Sequence, residues 1–295
     1  MLGFKKRQVS PTPKDLKIIP REIKIDLEKG LKDNLYWMDG DPVKTHFMNA
    51  LQSSFPEGER MFIDSARDVR DQCSESIPEE LNQQIKLFIR QEAIHGAHHE
   101  DWNNALIGLG YTRLAKYSAQ LKSERLKMKS SAPAIFRLAV TAAGEHFTAI
   151  TARLHIHGDP EFLNSLDRPV RDLILYHALE EIEHKAVCFD LFEHAGGNYL
   201  TRMLGAVSFS LGMMLHVRRI HVYLLKKDGL WNKENKKKAR QYIWGREGLF
   251  FKLLPDILDY FKPSFHPWDK DDRKWLAGDF NNDLEEYGIQ APVFA

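Results

Sequence analysis

The chain has 295 residues, enough for one large domain or two small ones with a substantial core. Its 42 Lys and Arg balance 41 Asp and Glu, and a net charge of +1 gives no electrostatic case for a nucleic-acid partner. Two cysteines, Cys73 and Cys188, make neither a disulfide framework nor a zinc-type pair, which fits a reducing, cytoplasmic setting, and no apolar stretch of signal-peptide type follows the basic first residues.

Residues 1–22 are rich in Lys and Pro and read as a loose arm over the domain. Asp41-Pro42 is an N-cap followed by proline at the first helical position, and a short helix should run to about Gln52. Phe55-Pro56 restarts the chain into a helix over 56–73. Pro78-Glu79-Glu80 opens a long helix over 79–108, stopped by Gly108 and Gly110, and a basic helix follows over 112–129. Pro133 opens a helix to about His155, and a further helix over 168–195 is ended by Gly196-Gly197. Strand-type alternation is missing throughout, so the expected fold class is all-α. Residues 203–217 carry no charge and are bracketed by Arg202, Arg218 and Arg219. They read as a helix buried against the bundle or, alternatively, an interfacial helix with basic anchors in contact with a membrane, because 15 residues are short for a span. The expected organisation is the arm to residue 22, a helical bundle over 23–197, and a helical extension over 198–295 packed on it.

Thirteen histidines are many for this length, and the densest cluster is His177-Ala-Leu-Glu-Glu-Ile-Glu-His184. On a helix His177, Glu181 and His184 fall on one stripe that Ile174, Cys188 and Leu191 extend, so it should face the core. Buried carboxylates and imidazoles are costly unless paired or bound to a cation, which points to a metal. Glu181-x-x-His184 is matched by Glu92-x-x-His95, whose stripe also contains Ile85, Phe88 and His99. Glu59 shares a face with Phe62, Ile63 and Ala66, whereas Glu57 lines up with polar residues. Glu145 sits on a face of small residues. The order Glu59, Glu92-x-x-His95, Glu145, Glu181-x-x-His184 has intervals of 33, 53 and 36 residues, suggesting two helix pairs joined by a crossover, as in ferritin-like dimetal four-helix bundles. Glu92 and Glu181 are expected nearest the bridge between two ions. His177 reads equally as a third imidazole ligand or as a brace for Glu180 or Glu181. His99 is placed around the ligands or in the pocket, and Glu180 and Glu183 flank the stripe as partners of Arg90 or Lys185.

The segments FPEGERMFI, QEAIHGAHH, GEHFTA, HALEEIEHKAVCFD and FKPSFHPWD together resemble the bacterial family of predicted metal-dependent hydrolases over roughly residues 20–275. The ligand pattern alone, with His177 one turn before the last Glu-x-x-His, is similar to that of the di-iron arylamine N-oxygenases, which implies a dioxygen-using site without naming a substrate. The leading expectation is therefore a non-haem di-iron oxidoreductase with two metal ions, iron before manganese and zinc last. Its partners would be a small, hydrophobic organic substrate, dioxygen and an external electron donor. The alternatives are a hydrolase with metal-activated water and a non-catalytic metal-binding bundle. Homodimerisation is left open.

Overall fold

The computed structural model describes residues 10–158 and 160–273. The protein is an all-α bundle, with no β-strand among the described residues. The helices in chain order are α1 (Leu27–Asp33), α2 (Pro42–Gln52), α3 (Phe55–Gln72), α4 (Glu79–Gly108), α5 (Arg113–Ser131), α6 (Ala134–Arg153), α7 (Pro160–Asn164), α8 (Arg168–His184), α9 (Val187–His194), α10 (Tyr199–Lys227), α11 (Lys233–Trp244) and α12 (Leu249–Tyr260). Local chemistry sets many of their ends. Asp41 caps α2 by accepting from the amides of Val43 and Lys44, ahead of Pro42. Gly110 takes a positive φ of 100° just past α4 and stops it.

The centre is formed by α3, α4, α6 and α8, with α3 packed along α4 and α6 meeting both α3 and α8. The basic helix α5 connects α4 to α6 across the outside. It buries only Leu114 and is tied to α3 by Arg125, which donates to Glu57 Oε2 at 2.8 Å. One hydrophobic cluster, around Phe62, Ile85, Phe88, Leu138 and Leu191, closes one end of the bundle. A larger one, around Trp37, Trp102, Leu106, Tyr176 and Leu224, closes the other.

Three sequence expectations are corrected. The helix expected over 168–195 turns at Lys185 and Ala186, dividing α8 from α9. Neither residue is a helix breaker. The Lys185 ammonium is held by Asp272 Oδ2 at 2.6 Å and by the Lys270 carbonyl, and it lies over the Trp268 ring, a tertiary anchorage that local sequence does not reveal. The helix expected to reach His155 gives way after Arg153 to a single π-helical turn, Leu154–Gly158. In the N-terminal arm, residues 18–21 are not loose: Ile18 and Arg21 are buried against α8 and α4.

Helix α10 is the one described helix long and apolar enough to cross a membrane by length and composition. One of its faces packs on α6 and α2 through Ala206, Val217, Ile220 and Leu224. Gly205 permits this closeness, since a Cβ there would lie 2.6 Å from the Ala139 backbone carbon. Gly205→Ala is therefore expected to cost about 1–3 kcal/mol by overpacking, read as a lower urea midpoint with unchanged m-value. The other face of α10 leaves Leu200, Leu204, Val207, Leu211 and Met214 exposed, spaced four, three, four and three residues apart. At its C-terminal end, Asp228 accepts hydrogen bonds from His46, Tyr36 and Tyr111 and ties α10 to α2 and the region before it.

Candidate metal centre

Each core helix contributes one to three polar side chains to a point midway along the bundle. Glu59 comes from α3, Glu92 and His95 from α4, Glu145 from α6, and His177, Glu181 and His184 from α8. All seven are buried. Helical spacing explains the pairing within α4 and α8, because residues three apart stand on consecutive turns of one face. Gly96 makes room on α4: a Cβ there would sit 3.2 Å from Glu59 Oε2. Glu57 instead points outward to Arg60 and Arg125.

The donor atoms gather into overlapping buried groups. Glu59, Glu92 and His95 form one, and Glu92, Glu145 and His184 form another, so Glu92 belongs to both. Glu92 Oε1 is 3.6 Å from His95 Nδ1 and 3.4 Å from His184 Nε2. Glu181 also spans the two imidazoles, with Oε1 3.8 Å from His95 Nδ1 and Oε2 3.4 Å from His184 Nε2. Glu145 Oε2 lies 3.2 Å from His184 Nε2 at one end. At the other end, His177 Nε2 meets Glu181 Oε1 at 2.8 Å and His99 Nε2 meets Glu59 Oε1 at 3.1 Å. His99 and His177 themselves approach to 3.3 Å, and they form a further candidate group with Glu59.

An outer layer fixes the two histidines of the Glu-x-x-His pairs. His95 Nε2 bonds Glu180 Oε2 at 2.9 Å, and His184 Nδ1 bonds Gln91 Oε1 at 2.9 Å. The Gln91 amide nitrogen donates to Glu183 Oε2, so its oxygen accepts and His184 must carry its proton on Nδ1. That leaves the Nε2 lone pair facing the carboxylates. Arg21 locks this layer: its guanidinium binds Glu183 Oε1 at 2.6 Å and Glu180 Oε1 at 3.5 Å, and its backbone N–H donates to Glu180 Oε1 at 2.7 Å. The partner of Glu180 and Glu183 is thus Arg21 rather than the expected Arg90 or Lys185, and Lys185 goes to Asp272. Thr148 on α6 donates to Glu181 Oε2. Sequence reasoning missed Arg21, Gln91 and Thr148. Gln91 alone left a signal, as a polar residue next to Glu92 on a core helix.

The unmet hydrogen-bonding atoms mark where a cation fits. Both carboxylate oxygens of Glu59, Glu92 and Glu145, together with His95 Nδ1 and His184 Nε2, are buried without a partner in hydrogen-bond geometry. Such a concentration of orphaned acceptors is costly in a protein interior unless a cation is shared among them. Four carboxylates and neutral imidazoles carry a charge of about −4, which two divalent ions offset. Glu and His donors suit such ions well.

Without metal, burial makes three of the four carboxyls hard to ionise, while burial's opposite pull on His184 is outweighed by the Glu145 and Glu181 carboxylates, which raise it. Burial pushes the Glu59 and Glu145 carboxyls up to about 7, against the pull of His177 on the first and His184 on the second. Burial also raises Glu92, reinforced by the charges of Glu145 and Glu181. Glu181 goes the other way: burial would raise it, but His184 and His177 together hold it low. Groups whose folded pKa is raised stabilise the metal-free fold below about pH 4.5 and lose that contribution as pH climbs through about 7. A bound metal needs the ionised carboxylates, so its stabilisation grows over the same window. The rise in Tm on adding Mn(II) should therefore increase from pH 5.5 to 7.5 and level off above; an increment that does not change with pH would remove these carboxylates from the site.

Residues 19–271 match the family model described as "Predicted metal-dependent hydrolase". The chain belongs to this family. The match spans every side chain of the cluster and its outer layer, from Arg21 to His184, and family membership makes metal dependence the stated property of the chain. No curated protein and no solved structure matches the chain.

Proposed function

We propose that this protein is a hydrolase working with two divalent metal ions held by Glu59, Glu92, His95, Glu145, Glu181 and His184, with His177 at one edge. The observation that carries this is the pair of buried three-residue groups sharing Glu92, and the family description supports the hydrolytic class. When bound, such ions polarise a carbonyl or phosphoryl oxygen and acidify a water. The chain's own residues supply the rest. Glu92 and Glu181 reach towards both imidazoles and keep the two halves together. Glu180 and Gln91 hold the distal nitrogens of His95 and His184, so that each presents a lone pair inward. Phe88 and Tyr176 pack edge-on against His184 and His95 and exclude bulk water from their flanks.

Oxidation of an organic substrate by dioxygen is the second reading. The donor set favours it, because four glutamates and two or three imidazoles without cysteine suit iron or manganese. A gas also reaches so deeply buried a centre more easily than a bulky ester does.

One experiment separates the two. Purified protein is analysed for metal, loaded with Mn(II) or Zn(II), and assayed on ester and phosphate panels; a second portion takes Fe(II) anaerobically and is then exposed to air. Turnover of an ester or phosphate that disappears with chelator supports hydrolysis. A transient visible absorption on aeration, with no hydrolytic turnover under any metal, moves the assignment to oxygen chemistry.

A further inference from the structure

On the far side of α6 from Glu145 lies a second built feature. Helices α6, α10, α11 and α12, with Phe47 and Leu51 of α2, enclose an apolar cavity of about 600 Å³. Its walls include Phe147, Phe209, Met213, Ile243 and Leu253, and none of the seven clustered Glu and His residues lines it. It follows α10 from Ala206 to Val222, and the twelve residues from Ala206 to Arg218 span about 18 Å of helix. The charged side chains of the lining gather towards one end, where Arg218, Lys236 and Arg240 stand, all exposed. Neither Arg218 nor Arg240 is ion-paired with a carboxylate among the described residues. These cations belong to a wider asymmetry: residues 198–262 contain thirteen Lys and Arg against five Asp and Glu, whereas the chain as a whole is nearly neutral.

We propose that this cavity binds the hydrocarbon chain of a single-chain anionic amphiphile, such as a long-chain carboxylate, with its head group at Arg218, Lys236 and Arg240. The reasoning is one of matched chemistry. An elongated apolar space of this size takes an alkyl chain, and a few polar groups at one end fix its orientation. An 18 Å length accommodates roughly 14 methylenes at about 1.25 Å per zigzag C–C bond. Guanidinium groups without carboxylate partners are suited to a carboxylate or phosphate head. The exposed Leu211 and Met214 also line the cavity, so its mouth opens beside the apolar stripe of α10, where a chain leaving a micelle or bilayer stays out of water. The proposal is independent of the metal chemistry, because the site shares no side chain with the Glu/His cluster.

The test uses the full-length protein. Calorimetry with laurate, myristate, palmitate and oleate below their micellar concentrations should show one site per chain. Affinity should rise about fourfold per methylene and level off once the cavity is filled. Met213→Trp, which blocks the cavity, should weaken oleate at least tenfold. Arg218→Glu/Arg240→Glu should weaken oleate at least tenfold while leaving oleyl alcohol within about twofold. Thermal melts confirm that each variant is folded; if either fails, Met214→Trp and Lys236→Glu, both at exposed positions, take its place. Sedimentation with phosphatidylcholine vesicles containing lysophosphatidylglycerol, a single-chain anionic lipid, identifies the source. Vesicle binding that Met213→Trp abolishes means the chain is drawn from a membrane lipid, and free oleate binding without vesicle binding means a soluble amphiphile; both support the site. Absence of oleate and vesicle binding, or binding that Met213→Trp leaves unchanged, overturns it.

Discussion

Glu92→Gln is expected to lower the metal content from the proposed two ions per chain to one or none, while Glu57→Ala on the neighbouring helix should leave it unchanged. The difference follows from geometry. Glu92 Oε1 stands between His95 Nδ1 and His184 Nε2 and belongs to two of the three-residue groups, whereas Glu57 faces Arg60 and Arg125. The same substitution should act in the opposite sense on the metal-free protein. Burial and the charges of Glu145 and Glu181 make ionisation of Glu92 unfavourable, so the neutral amide stabilises the empty fold by about 1–3 kcal/mol, seen as a higher Tm in chelator. A residue kept only for packing would lower Tm in both conditions. Retention of two ions in Glu92→Gln, measured by elemental analysis after dialysis, would falsify the shared-ligand arrangement.

Arg21→Ala is the second large effect, and it lies outside the cluster itself. Removing this guanidinium leaves Glu180 and Glu183 buried with one cation fewer, at a cost of about 3–5 kcal/mol. The loss should depend on pH in a defined direction. Burial already raises the Glu183 carboxyl, with Arg21 opposing it, and without Arg21 the carboxyl rises further. A folded pKa above the unfolded one gives stability at low pH that is lost as pH rises through the folded value. The deficit of Arg21→Ala against wild type should therefore be largest near pH 8 and shrink towards pH 5, which denaturant midpoints at each pH measure directly. Because Glu180 also orients His95, metal affinity should fall by about 10–100-fold even though Arg21 lies beyond the clustered donors. An unchanged affinity would show that His95 is held by helix packing alone.

Two buried histidines away from the centre add to the acid sensitivity expected of the fold. His146 and His221 are buried and their pKa values are pushed down to about 4, chiefly by burial, although each bonds a backbone carbonyl. Depressed folded values give stability that is present above about pH 6.5 and lost as pH falls through about 4. His221→Gln should flatten that acid slope in urea unfolding measured between pH 7 and 4.

What the sequence by itself determined is whatever a helix repeats locally. Glu92-x-x-His95 and Glu181-x-x-His184 could be read as convergent pairs because 3.6 residues per turn puts i and i+3 on one face, wherever the helix ends up. Glu59 could be chosen over Glu57 because only its face carries Phe62, Ile63 and Ala66. The all-α class and most helix starts were legible for the same reason, through Asp41-Pro42, Phe55-Pro56 and Pro78-Glu79-Glu80. Only the tertiary structure decided features made by residues far apart in the chain. Arg21 reaches Glu180 and Glu183 some 160 positions away, and Lys185 bends the chain between α8 and α9 by reaching Asp272. His99 meets Glu59 and His177 because α3, α4 and α8 converge, and the cavity beside α10 exists because four helices splay around it. A charged side chain's partner depends on which surfaces meet, and periodicity carries no information about that.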